Sequence, residues 1–168
     1  PLKAHAHRAD DIFTALRIAK EFDVDITLDH CTEGHLIADY LAEEGKGAIV
    51  GPTLSNRSKF ELKNLTFDTP RILHEAGVKV AITTDSPVIP LQYLPICAGL
   101  AHKSGLDEME ALKAITINAA EIVGIDDRVG SIEVGKDADI VIYDSNPIKD
   151  IDCNTYMTII NGEIIYKK

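Results

Sequence analysis

Val78-Lys79-Val80-Ala81-Ile82-Thr83-Thr84-Asp85-Ser86-Pro87 is a strand that stays almost wholly apolar until Thr83 and then turns polar. Such a run suits a parallel strand buried on both faces, because a strand with one wet face alternates instead. The same unit recurs toward the N-terminus. Residues 2–7, 24–30 and 48–52 read as three further strands. Residues 9–22 read as an amphipathic helix with Ile12, Ala15, Leu16 and Ala19 on one face, and with Asp10 and Asp11 at its positive end. Residues 33–44 form a second helix, with Leu36, Ile37, Tyr40 and Leu41 as its stripe and Gly45 as its stop. A polar loop over 54–64 precedes a third helix over 69–76, closed by Gly77. Repeated strand–helix units predict an α/β fold with a parallel sheet or barrel.

Toward the C-terminus the pattern changes. Residues 91–125 read as helical, most clearly over 108–123, where Met109, Leu112, Ile115 and Ala119 share a side. Residues 130–135 and 138–144 then read as short strands around turns. Residues 158–160 and 163–166 flank Asn161-Gly162, a strong signal for a tight hairpin. A boundary near Asp126 divides the chain into residues 1–125 and 126–168.

The 168 residues carry 27 acidic and 17 basic side chains, for a net charge of −10. No basic stretch offers a footprint for phosphate, which argues against a nucleic-acid partner. No apolar run approaches the roughly 18 to 20 residues needed to span a bilayer, so no membrane partner is expected. Cys31, Cys97 and Cys153 are odd in number and far apart in sequence, which reads as reduced thiols in a cytoplasmic protein. Pro1-Leu2-Lys3-Ala4-His5 is neither a leader peptide nor a start at methionine, so a beginning in mid-protein is expected.

Three strand ends carry chemistry: His5-Ala6-His7-Arg8, Asp29-His30-Cys31 and Thr84-Asp85-Ser86. In a parallel barrel the C-terminal strand ends face one mouth, where catalytic residues gather. Each residue alone has a plain reading. A histidine at a strand end is commonly just hydrogen-bonded, and an aspartate before Ser-Pro commonly sits in a turn. Their repetition at successive strand ends argues for a site. Two histidines and a carboxylate make a nitrogen–oxygen donor set that fits Zn2+, with Fe, Mn or Ni as alternatives. His35, His74 and His102 fall in or beside helices and read as solvated or capping groups. Cys31 reads as core.

These strand ends, together with Ala114-Ile115-Thr116-Ile117-Asn118-Ala119-Ala120 and Gly130-Ser131-Ile132-Glu133-Val134-Gly135-Lys136-Asp137-Ala138-Asp139-Ile140-Val141, resemble the amidohydrolase superfamily over essentially the whole chain. The likeness is greatest to its imidazolonepropionase-like and prolidase-like members. The resemblance implies the C-terminal half of a TIM (β/α)8 barrel, strands five to eight, followed by part of a small β-sandwich. It implies that His5 binds metal, and that His30 is a second metal ligand in two-metal members or positions water or substrate in one-metal members. It implies that Asp85 binds metal and takes the proton from the attacking water. His7 and Arg8 are left as groups that contact substrate or brace the ligands.

The implied activity is hydrolysis of a carbon–nitrogen bond in an amide, cyclic amide, amidine or dipeptide-like small molecule by metal-activated water, with one or two metal ions. The family's His-x-His pair at strand one lies outside this sequence, so the chain is expected to supply only part of the site. Its expected partners are the missing N-terminal half or a second copy of the chain. The alternatives are an inactive structural half-barrel, or a decarboxylase or isomerase on the same fold. A nucleotide-binding fold is disfavoured, since no GxGxxG follows a strand.

Overall fold

A computed structural model describes residues 1–168. The first strand, β1, spans Leu2–Ala6. It leads into helix α1, Ala9–Glu21, which buries Ile12, Leu16 and Ala19 at the spacing of one helical face. Strand β2, Ile26–His30, follows. The next helix is shorter than the sequence predicts. Residues 33–44 divide into a 3-10 turn, Gly34–Ile37, and a seven-residue helix α2, Ala38–Glu44. Packing is close where the 3-10 turn opens, since a Cβ on Gly34 would meet Cys31 and Leu73 side-chain atoms at 3.3 Å. Strand β3, Ala48–Val50, helix α3, Thr69–Glu75, and strand β4, Val80–Ile82, complete the alternation.

The four strands pair in parallel in the order β1-β2-β3-β4. Their register sets Ala6, His30, Val50 and Ile82 in one row across the sheet. All four C-terminal ends therefore open on the same side. Residues from α1, α2 and α3 cover the sheet and close a core around Ile12, Leu28, Leu41, Val50 and Leu73.

The helical stretch after β4 is α4, Leu94–Lys103, α5, Glu108–Ala114, and α6, Ile117–Val123. The single helix predicted over 108–123 is thus two. At the junction the Thr116 hydroxyl donates to the carbonyl of Leu112 at 2.8 Å, and Thr116 adopts φ −135 and ψ −103, outside the helical region. The side chain competes with the backbone ladder, as threonine does inside helices. The break turns α6 so that Asn118 Nδ2 donates to the Val80 carbonyl at 3.0 Å.

The C-terminal segment forms an antiparallel sheet of β5, Ile140–Tyr143, β6, Thr155–Ile160, and β7, Glu163–Lys167. Asn161 and Gly162 both take positive φ, 50 and 81, as a tight two-residue hairpin requires. The strand predicted over 130–135 is absent. That stretch is irregular, with Ile132 and Val134 fully in solvent, so no partner strand holds it extended. A second core joins Cys97, Ala98 and Ala101 of α4 to Ile82 and to Ile148, beyond β5. Gly99 permits that approach, because a Cβ there would collide with the Ile148 carbonyl. No helix is long and apolar enough to cross a membrane.

Candidate metal centre

His5 and His7 project from one face of the β1 end, because alternate residues of an extended strand share a face. His30 is the last residue of the neighbouring β2. The three imidazoles meet at the paired ends of β1 and β2, where His30 leaves the extended conformation. Ring centroids are 4.2 Å apart for His5 and His30, 4.5 Å for His7 and His30, and 4.8 Å for His5 and His7. Each ring offers one nitrogen, and these donors lie within 4.8 Å of one another. His7 and His30 are buried, while His5, on an outermost strand, is exposed.

Backbone hydrogen bonds hold the strand ends in place. Cys31 N–H donates to the Ala6 carbonyl at 3.0 Å, and Glu33 N–H to the His7 carbonyl at 2.8 Å. His30 and Cys31 have φ of 78 and 44, a left-handed conformation that L-residues adopt at a cost of about 1 to 3 kcal/mol each. These bonds oppose that cost and turn the chain out of the sheet at the His30 ring.

The ring nitrogens have defined partners. His30 Nδ1 lies 2.7 Å from the Gly51 carbonyl. A carbonyl can only accept, so Nδ1 carries the proton and Nε2 keeps its lone pair. His7 Nδ1 meets Thr32 Oγ1 at 2.7 Å, and its Nε2 lies 3.7 Å from Glu61 Oε1. Burial, and then the neighbouring His30, lower the His7 pKa to about 4, against the opposing pull of Glu61. At neutral pH His7 is therefore an uncharged base. An imidazole braced through its other nitrogen, as His7 and His30 are, is the form in which histidine commonly ligates Zn2+ and similar ions, so the residues present fit a metal.

The other candidates fall elsewhere. Asp85 stands beyond β4 with φ 51, exposed, its N–H donating to Thr83 Oγ1 at 3.1 Å. It lies outside the imidazole cluster and faces the same cleft of about 980 Å³ that His5 and His7 line. Arg8 turns away. Its Nε and Nη2 donate to the Asp10 carboxylate at 2.9 and 2.7 Å. Asp29 also leaves the site, to pair with Lys3 at 2.9 Å. His35 bonds the Thr69 hydroxyl, His102 bonds the Leu106 carbonyl beyond α4, and exposed His74 lies near Glu110. Cys31 is fully buried, and that burial pushes its thiol up to about 12.

Sequence reading passed over three residues that build the site. Glu33 reads as a helix start. In the structure it is buried, and its carboxylate accepts from Ala9 N–H at 2.9 Å and Asn64 Nδ2 at 2.8 Å, which ties the β1 exit to the loop after β3. Thr32 and Gly51 brace His7 and His30. Gly51 carries a signal in hindsight, as a glycine at a strand end where a polar site gathers. Its φ of 135 and the collision of any Cβ with the Thr83 carbonyl exclude other residues.

Known proteins share this arrangement of sequence and fold. A family model described as the amidohydrolase family matches residues 3–165. An imidazolonepropionase of Symbiobacterium thermophilum is 36% identical over 144 residues, covering 84% of this chain and 33% of that protein. The crystal structure of an amidohydrolase from Thermotoga maritima superposes with a TM-score of 0.96 at 43% identity, covering 100% of this chain and 44% of that one. A Xaa-Pro dipeptidase crystallised with methionine in its active site superposes with a TM-score of 0.75 at 26% identity, over 99% of this chain and 44% of that one. The chain thus spans less than half the length of these relatives.

Proposed function

The chain belongs to the amidohydrolase family, and on that premise we propose that it carries one side of a metal-dependent active site that hydrolyses carbon–nitrogen bonds. In this reading the parallel sheet is the second half of a (β/α)8 barrel, strands five to eight. Its mouth faces a small-molecule amide, cyclic amide or dipeptide-like substrate. The observation that carries the proposal is the three-imidazole cluster, with the His30 tautomer set by Gly51.

His5 and His30 would hold the metal, and His7 joins them as an uncharged nitrogen donor or as a brace against the ligands. A divalent ion there, zinc above all, would lower the pKa of water and polarise the carbonyl under attack. Asp85 faces the same cleft on an exposed turn. It accepts the proton of the attacking water and passes it to the leaving nitrogen, which then departs as a neutral amine. Thr32 and Gly51 keep the rings oriented while the proton moves.

Two substitutions in the full-length, metal-loaded protein test the reading. Asp85→Asn keeps size and removes the base, so turnover of amide and dipeptide substrates should fall by about 100-fold or more. His30→Gln should weaken zinc binding by about tenfold or more in a competition titration with a chromogenic chelator. Near-normal turnover in Asp85→Asn with metal bound removes Asp85 from the mechanism. Unchanged zinc affinity in His30→Gln removes the metal reading of the cluster.

A further inference from the structure

In this acidic chain the arginines are almost all neutralised. The sequence has five. Arg8, Arg17, Arg71 and Arg128 each lie 2.6 to 2.7 Å from a carboxylate oxygen. Arg57 is the exception and makes no ion pair, although the chain carries 27 acidic residues. One of its terminal nitrogens donates to the carbonyl of buried Leu65 at 2.6 Å. That bond spans the loop after β3 and fixes the guanidinium. Arg57 lines the same cleft as His5, His7 and Asp85, as does Lys59, whose ammonium lies 3.4 Å from Glu61.

We propose that Arg57 is the anchor for a carboxylate of the substrate, so that the substrate is a small acid whose scissile C–N bond lies between that carboxylate and the imidazole cluster. The inference deepens the hydrolase reading of the same cleft and rests on it. A guanidinium offers a planar fork of donors that matches a carboxylate, and the Leu65 bond orders that fork before any ligand arrives. Lys59 adds positive field at the same wall. Ser55, Asn56 and Ser58 supply neutral hydrogen-bonding groups beside it. A monoanion fits better than a phosphate dianion, because one nitrogen of Arg57 is already committed, Glu61 offsets Lys59, and Asp85 faces the same space.

Calorimetric titration of the full-length, metal-loaded protein with N-acetylglycine and with N-acetylglycinamide tests this directly. The acid should bind more tightly than the neutral amide. Arg57→Met should weaken the acid by roughly tenfold or more and leave the amide unchanged. Arg57→Lys, which keeps charge and a donor, should recover part of the loss. Arg17→Met, a surface control, should change nothing. Equal binding of acid and amide by the wild type overturns the assignment. So does full retention of acid binding in Arg57→Met, since the carboxylate then sits elsewhere. If Arg57→Met loses both ligands, Arg57→Lys decides: recovery of the amide without the acid's advantage also overturns it. Hydrolysis of an N-acyl amino acid and its carboxamide is followed in the same preparations. No cleavage of either, with acid selectivity in binding intact, defeats the hydrolase reading and leaves the carboxylate site standing. Equal cleavage of both by the wild type defeats the carboxylate site and leaves the hydrolase reading.

Discussion

His30 owes its orientation to a residue from a different strand end. Its ring proton goes to the Gly51 carbonyl at 2.7 Å, and Gly51 can occupy that point only because it has no side chain. Gly51→Ala should therefore act twice. Forcing a Cβ into a conformation essentially restricted to glycine, against the Thr83 carbonyl, should destabilise the chain by about 2 kcal/mol or more in urea unfolding. Displacing the carbonyl should also free the His30 ring and weaken zinc binding. Wild-type stability and zinc affinity in Gly51→Ala would mean that the β3 end plays no part in the site. His5-Ala6-His7, Asp29-His30 and Thr84-Asp85 stand in the sequence as polar breaks after apolar runs. The supporting Thr32 and Glu33 carry no such mark, and Gly51 only that of a glycine at a strand end, because their roles lie in contacts with residues up to 32 positions away.

Among the secondary-structure elements, local chemistry predicts where helices begin and end better than where they break. Asp107 accepts from Met109 N–H at 2.9 Å and Glu110 N–H at 3.2 Å, which caps α5. Asp107→Ala should cost about 1 kcal/mol of stability in thermal or urea unfolding. No measurable loss would show that α5 is held by packing alone. Gly45 and Gly124 end α2 and α6 in the left-handed region, as glycine at that position signals. The breaks at Gly34–Ile37 and at Thr116 follow another rule. The apolar stripe runs through both, so periodicity reads each as one continuous helix. At the first, Gly34 packs close against Leu73, 39 positions away; at the second, the Thr116 hydroxyl takes the Leu112 carbonyl and Asn118 reaches Val80, 38 positions away.

Across the whole molecule, β1 and β4 are the outermost strands of the parallel sheet. Asn118 occupies one carbonyl of β4, and nothing comparable meets β1. The small sheet leaves Ile164, Ile165 and Tyr166 exposed, and a largely apolar cleft of about 1520 Å³ separates it from α4. Open edges and apolar surface of this kind promote association. The 168-residue chain alone should therefore self-associate at micromolar concentration in sedimentation velocity, or pair with a separately supplied N-terminal half. A stable monomer with slow amide exchange along both β1 and β4 would remove the half-barrel reading. By itself the sequence determined the alternation of strands and helices, the parallel sheet, the C-terminal hairpin and the strand ends that carry histidine. Each of these follows from local periodicity, turn chemistry and the burial that an apolar run demands. Only the tertiary structure decided that His30 stands beside His5 and His7, and that Asp85 faces the cleft from outside the cluster. Those outcomes depend on strand register and on backbone bonds between strand ends, which no local pattern encodes.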